Sequence, residues 1–231
     1  EHMSEYGVHW NFFFTLAVVS AVASAVSVPP RIAPIVGAGA ALFYQITLHL
    51  GLSPWILTAE RTNIFAANRE GICGVVGYYA LFNFGLGVGH TLSRNRTIGE
   101  WWMLLGRLLA LTVLLHLLTL ASDAFVETIS RRLMNLSYVL WVGTLNVGAI
   151  SLMLAAALLR PLSPVLLLRA INRNLLVIFL LANLITGAVN LSLCTTRVSD
   201  AVAWTIMVGY LSAVCAVACY LEVRQVTLRW R

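Results

Sequence analysis

The sequence predicts an all-α fold: a polytopic membrane helical bundle of about seven transmembrane helices with one or two short interfacial helices. Three observations predict it. Of the 231 residues, 60% are hydrophobic and 10% charged, with a mean hydropathy of +0.86, whereas soluble domains carry about 25% charged residues. Seven apolar windows are each long enough to cross a hydrocarbon core about 30 Å thick. Backbone groups in lipid must be satisfied within their own segment, so the windows are helical. A soluble globular domain and a disordered chain are both excluded.

The windows are Trp10–Val28, Ile32–Leu52, Ile72–His90, Trp101–Ala121, Leu133–Leu159, Asn174–Leu193 and Ala201–Leu221, from 19 to 27 residues long. The shortest only just cross at about 1.5 Å per residue, and the fifth is long enough to tilt or project. Two connections are long. Ser53–Gly71 carries Trp55, Ile56, Leu57, Ile64 and Phe65 and reads as a partly interfacial helix. Arg160–Arg173, with Pro161 and Pro164, reads as a bent loop with a second short helix. No second domain or repeat is evident, so residues 1–231 are expected to form a single bundle.

Seven crossings put the two termini on opposite sides. The N-terminal side, side A, holds five arginines: Arg61, Arg69, Arg131, Arg132 and Arg197. The opposite side, side B, holds nine: Arg31, Arg94, Arg96, Arg160, Arg169, Arg173, Arg224, Arg229 and Arg231. Side B, with the C-terminus, is therefore expected to be cytoplasmic. Arg107 lies inside the fourth window and is expected to snorkel to side B or to meet a phosphate there.

All 15 basic residues are arginine, which excludes a lysine Schiff base and a P-loop lysine. The net charge of +6 is spread thinly over loops, a pattern of topology control and lipid contact with no nucleic-acid partner. Cys73, Cys194, Cys215 and Cys219 fit no disulfide or metal spacing and read as small packing residues. The five histidines show no metal spacing either. Gly85–Gly89 lacks the strand a dinucleotide loop needs, and Gly71, Gly74 and Gly77 read as a close-packing face.

Polar residues at helix ends and inside spans are the informative ones, because an unpaired polar group in lipid is costly. At the entry to the first helix, Glu5 and His9 are i, i+4, which suits a carboxylate orienting an imidazole base. The same run, with Tyr6, Trp10 and Phe12–Phe14, also reads as an interfacial aromatic belt. Before the third helix stand Asn68, Arg69 and Glu70. Arg69 can clamp a phosphate and Glu70 can lock that arginine or accept a sugar hydroxyl; a solvated loop is the plainer reading. Gln45 and His49, Thr112, His116, Thr119 and Asp123, and Asn183, Thr186 and Asn190 all approach side A. Interhelical hydrogen bonding accounts for each alone; their convergence suggests one polar cavity open to side A.

Two runs, Glu5–Thr15 (EYGVHWNFFFT) and Ala67–Gly71 (ANREG), resemble the inositol acyltransferase family of glycosylphosphatidylinositol (GPI) anchor biosynthesis, PIG-W/Gwt1. The first residue is Glu1 and not Met. His2-Met3 looked at alone reads as a cloning remnant, but Glu1-His2 also fits the family, so the chain looks like the C-terminal half of a longer protein. The resemblance implies an acyltransferase of the endoplasmic reticulum membrane, multi-pass with a cytoplasmic C-terminus. It would move a fatty acyl group, typically palmitoyl, from acyl-CoA to the inositol of glucosaminyl-phosphatidylinositol. Acyl-CoA is then a co-substrate, and no cofactor or metal is expected. The expected partners are the glycophospholipid, membrane lipids and the N-terminal half of the same chain. The resemblance maps catalytic roles onto His9 and Glu70. It maps substrate contacts onto Glu5, Tyr6, Trp10, Asn11, Phe12, Phe13, Asn68 and Arg69, with His49 and His116 added from the polar face. The principal acid/base pair is compatible with a place in the other half. A lipid or small-molecule transporter and a non-catalytic scaffold half remain the alternatives.

Overall fold

The computed structural model describes residues 6–159, 165–194 and 197–228. Every regular element longer than an isolated bridge among them is helical, and six helical stretches are long and apolar enough to cross a membrane. The all-α membrane bundle is therefore the fold. Contacts gather into two compact units, Glu1–Leu159 and Arg160–Arg231.

In the first unit, α1 is Phe12–Val26. It is 15 residues long, about 22 Å at about 1.5 Å per residue, and so falls short of its predicted window. The reason is local. Asn11 caps the helix, its side chain accepting from the Phe14 N–H. Ser27 leaves it in the left-handed region (φ 47), and Pro29-Pro30 follow. Next come α2, Ala33–Thr47, a π-helical turn at Leu48–Leu52, and α3, Ser53–Thr58. They run on as one stretch from Ala33 to Thr58, bent at Gly51 (φ 115). Ser53–Thr58 is thus a short helix of its own beyond the kink, in the segment where a short interfacial helix is expected. A single turn, α4 (Ile64–Ala67), then leads to α5, Arg69–Leu92. Helix α6 is Ile98–Phe125, opened by a capping box between Thr97 and Glu100. Helix α7 is Leu136–Leu159.

The pairs α2/α5 and α6/α7 carry most of the packing, with α1, α4 and α7 also against α5. Buried Tyr44, Leu48, Ile56, Ala80, Met134 and Val139 form the main core cluster. Close approach depends on the expected glycine face: the Gly77 Cα stands so near Met134 that an added Cβ would lie 2.6 Å from the Met134 carbonyl oxygen.

The second unit holds α8, Leu166–Arg173, α9, Leu175–Ser192, and α10, Asp200–Val223. Helix α8 matches the second short helix expected after Arg160; Arg160, Pro161 and Pro164 lie outside the described residues. Its core is Ala170, Ile178, Val214 and Ala218. Buried Glu222 accepts from Arg169 Nε at 2.8 Å and Arg173 Nη1 at 3.2 Å, and Arg173 also donates to Gln225 and Thr227. Removing the carboxylate strands two guanidiniums that can turn partly to water. E222A is therefore expected to cost about 1–2 kcal/mol, read as faster tryptic cleavage at Arg173 and Arg224 in the intact, detergent-purified protein.

Candidate functional site

The two sequence runs meet. The Val8 N–H donates to the Ala67 carbonyl (3.0 Å) and the Gly71 N–H to the Tyr6 carbonyl (2.8 Å). The His9 N–H donates to Asn68 Oδ1 (2.8 Å). Residues 6–9 therefore lie along the turn that starts α5. Gly7 (φ +128) permits this, for a Cβ there would lie 2.7 Å from Asn68 Cα. Gly71 lets the Trp10 indole lie directly on the α5 backbone. Trp10 Nε1 then donates to buried Thr15 Oγ1 at 2.8 Å.

Glu70 anchors the charge at this joint. Its side chain is 1% exposed and sits 2.5 Å from Arg61 Nη2 and 2.7 Å from Arg132 Nη2. Arg61 Nη1 and Arg132 Nε add further bonds. Its partners are thus Arg61 and Arg132, in place of the Arg69 suggested by adjacency. With both oxygens held by guanidiniums, Glu70 orients the loops. Arg69 is buried too. Its Nε donates to the Ile56 carbonyl (2.7 Å) and its Nη1 to the Ala66 carbonyl (3.0 Å), with the guanidinium 5.7 Å from the Trp55 ring centre. The fork ties α3 and α4 to α5.

Around this centre the other predicted residues are placed as follows. The Tyr6 hydroxyl accepts from Arg131 Nη2 (2.8 Å) and lies 3.4 Å from the Tyr78 hydroxyl. The Phe12 ring meets Tyr78 edge-on at 5.6 Å. Asn11 is spent on the α1 cap. Phe13, 70% exposed, points outward, and the His9 ring is exposed. Glu5, and with it the Glu5–His9 pairing, lies outside the described residues.

His49 belongs to a second polar cluster, stitched to the first by the 126–135 connection. Gln45 Oε1 accepts from the Leu136 N–H (2.8 Å). Its amide nitrogen therefore donates, to His49 Nδ1 at 3.1 Å and to Glu127 Oε2 at 3.0 Å. Ser53 Oγ donates to Glu127 Oε1 at 3.0 Å and Asn135 Nδ2 to its Oε2 at 3.3 Å. Sequence reasoning missed Arg61, Arg131, Arg132, Tyr78 and Glu127 as members. The available signal was their position: four of the five are charged residues in the short connections facing side A.

His116 stays apart, exposed on α6. The other intramembrane polar groups expected to converge mostly satisfy themselves one turn back. Thr112, Thr119, Asn183 and Thr186 each donate to the carbonyl four residues earlier. A large groove among the described residues opens at the opposite end of the first unit.

A lysine-free set of apolar helices, with a buried carboxylate held between arginines at one helix-end joint, defines an integral membrane protein. Its family follows from comparison: the GWT1 family model matches residues 1–221, and the chain belongs to the GWT1 family. It is 34% identical over 233 residues to the phosphatidylinositol-glycan biosynthesis class W protein of Dictyostelium discoideum, covering 100% of this chain and 47% of that protein. It is 37% identical over 246 residues to GPI-anchored wall transfer protein 1 of Schizosaccharomyces pombe, covering 99% and 53%. An uncharacterized Arabidopsis thaliana protein is 36% identical over 220 residues, covering 94% and 50%. The chain spans about half the length of the curated relatives it matches.

Proposed function

We propose that the protein acts in GPI-anchor biosynthesis as a membrane-bound acyltransferase, moving a fatty acyl group, palmitoyl by preference, from acyl-CoA to the inositol of glucosaminyl-phosphatidylinositol. The observation that carries the proposal is the family match over residues 1–221, reinforced by the folding of its two most specific runs into one joint. The protein resides in the endoplasmic reticulum membrane, with the joint facing the lumen and the C-terminus in the cytoplasm, as the arginine imbalance favours.

In the transfer, an inositol hydroxyl oxygen attacks the thioester carbonyl carbon. A C–O bond forms, the C–S bond breaks, the hydroxyl proton passes to a base, and CoA leaves as the thiol after taking a proton. His9 is the group in this joint with an exposed imidazole and is the proposed base. The proposed contacts for the lipid phosphate are Arg131 and Arg132, which reach the surface beside the buried Glu70. Arg69, Asn68 and Glu70 position the loops that present them.

The test uses the intact gene in a host lacking the inositol acyltransferase, with microsomes given labelled palmitoyl-CoA. The parent is expected to restore acylated glucosaminyl-phosphatidylinositol. H9A is expected to lower turnover by about 100-fold or more, and R131Q to raise the KM for the lipid about tenfold at unchanged turnover. No product from the parent removes the acyltransferase reading in favour of transport. Full turnover by H9A makes this chain the scaffold for a base in the other half.

A further inference from the structure

A groove of about 710 Å³ in the first unit is walled by α5, α6 and α7 at the end away from the Tyr6–Glu70 joint. Its walls are apolar, with Leu108, Leu115 and Val147 among them. Arg94, Arg96 and Arg107 also line it. From Glu100 to Leu115 it follows α6 for about 22 Å at about 1.5 Å per residue, more than half of a hydrocarbon core about 30 Å thick.

The arginines lack strong counter-charges. Arg107 lies inside a membrane-spanning helix, where an unpaired guanidinium is costly. The contact it makes is a weak one, to the Met103 sulfur at 3.9 Å. Arg94 Nη2 lies 3.3 Å from His90 Nε2. Arg96 donates to the Arg94 carbonyl and stands 5.2 Å from the Trp101 ring centre. The one carboxylate lining the groove, Glu100, accepts from the Thr97 N–H and hydroxyl and faces Arg96. Three cations against that single carboxylate leave a net positive charge that calls for an anion. The apolar length behind them calls for an acyl chain. Met103 and Leu111, on the α6 edge of the groove, are exposed, so the occupant enters sideways from the bilayer.

We infer that this groove holds a membrane phospholipid with an anionic headgroup, its phosphate among Arg94, Arg96 and Arg107 and one acyl chain along Leu108, Leu115 and Val147. The site is separate from the proposed acyl transfer and does not depend on it.

The test purifies the intact protein in mild detergent, delipidates it, and titrates it with brominated phosphatidylglycerol or brominated phosphatidylcholine. The readouts are quenching of Trp101 fluorescence, isolated by difference from W101F, and native mass spectrometry for stoichiometry. Expected is one phosphatidylglycerol per chain, bound about tenfold more tightly than phosphatidylcholine. The exposed-site variant R94Q/R107Q is expected to erase that preference with the melting temperature unchanged, and L111W, which fills the groove, to abolish both. Equal binding of the two lipids, or a preference that survives R94Q/R107Q, overturns the inference. Displacement of phosphatidylglycerol by stoichiometric palmitoyl-CoA overturns it in favour of a donor site.

Discussion

E70A is expected to do more damage than any other single charge removal in this chain. Glu70 is the shared acceptor for Arg61, on the α3–α4 connection, and Arg132, on the α6–α7 connection. Its loss leaves two guanidiniums facing each other across a closed joint. Breaking a buried ion pair from one side costs about 3–5 kcal/mol. Arg132 is 38% exposed and Arg61 18%, so part of that cost is recovered by water, and about 2–4 kcal/mol is expected. R132M should cost under about 1 kcal/mol, because Arg61 still neutralises the carboxylate. The measurement is a double-mutant cycle on thermal unfolding of the intact protein in detergent. E70A/R132M should be less destabilised than the two single losses added together, since removing one cation relieves the repulsion left by the other. Strict additivity would show that Glu70 and Arg132 do not interact.

The second large effect is expected at Gly7. A Cβ there would meet Asn68 Cα at 2.7 Å and the Ala67 carbonyl oxygen at 2.8 Å, on a backbone at φ +128 that side chains rarely adopt. G7A should cost about 3 kcal/mol or more through strain and overlap together. The loss should spread to function, because the Val8, His9 and Gly71 bonds all require residues 6–9 to lie on the α5 start. G85A and G89A are the internal comparison. Both lie in α5 with nothing within 4 Å of the added atom, so helix propensity alone acts, and each should be neutral or stabilising by up to about 1 kcal/mol. The measurement is the melting temperature of the three variants beside microsomal lipid acylation. A silent G7A would mean that the joint is not closed in the working protein.

The spans were legible because lipid selects on a property that sequence displays directly, a sustained run of apolar residues. Their ends were less so. Windows read Trp10–Val28 as a full span, yet Asn11 and Ser27 cut the helix at both ends by local hydrogen bonding that hydropathy averages away. The second window, Ile32–Leu52, ends where the helix does break, at the Gly51 kink before Ser53. In the site, the two motif runs were visible as runs, and their meeting across about 60 residues was not. Adjacency suggested Arg69 for Glu70. Consecutive helical residues point about 100° apart, so Arg69 turns to the Ile56 and Ala66 carbonyls while Glu70 faces Arg132, 62 positions away. Arg131 and Arg132 were seen only as topology signals, because nothing in a dipeptide of arginines tells which loop they will cross.

The shortness of α1 has a consequence for the bilayer itself. Helices α1 and α5 start level, tied by the Val8–Ala67 and Gly71–Tyr6 bonds, but α1 has 15 residues and α5 has 24. At about 1.5 Å per residue α1 stops roughly 13 Å before its neighbour does. Lipids beside α1 must either compress or let headgroups and water sink toward Ser24 and Ser27, at a cost of fractions of a kcal/mol per Å. A thinned hydrophobic layer along α1, in the leaflet opposite the Tyr6–Glu70 joint, is the expected consequence wherever lipid borders that flank.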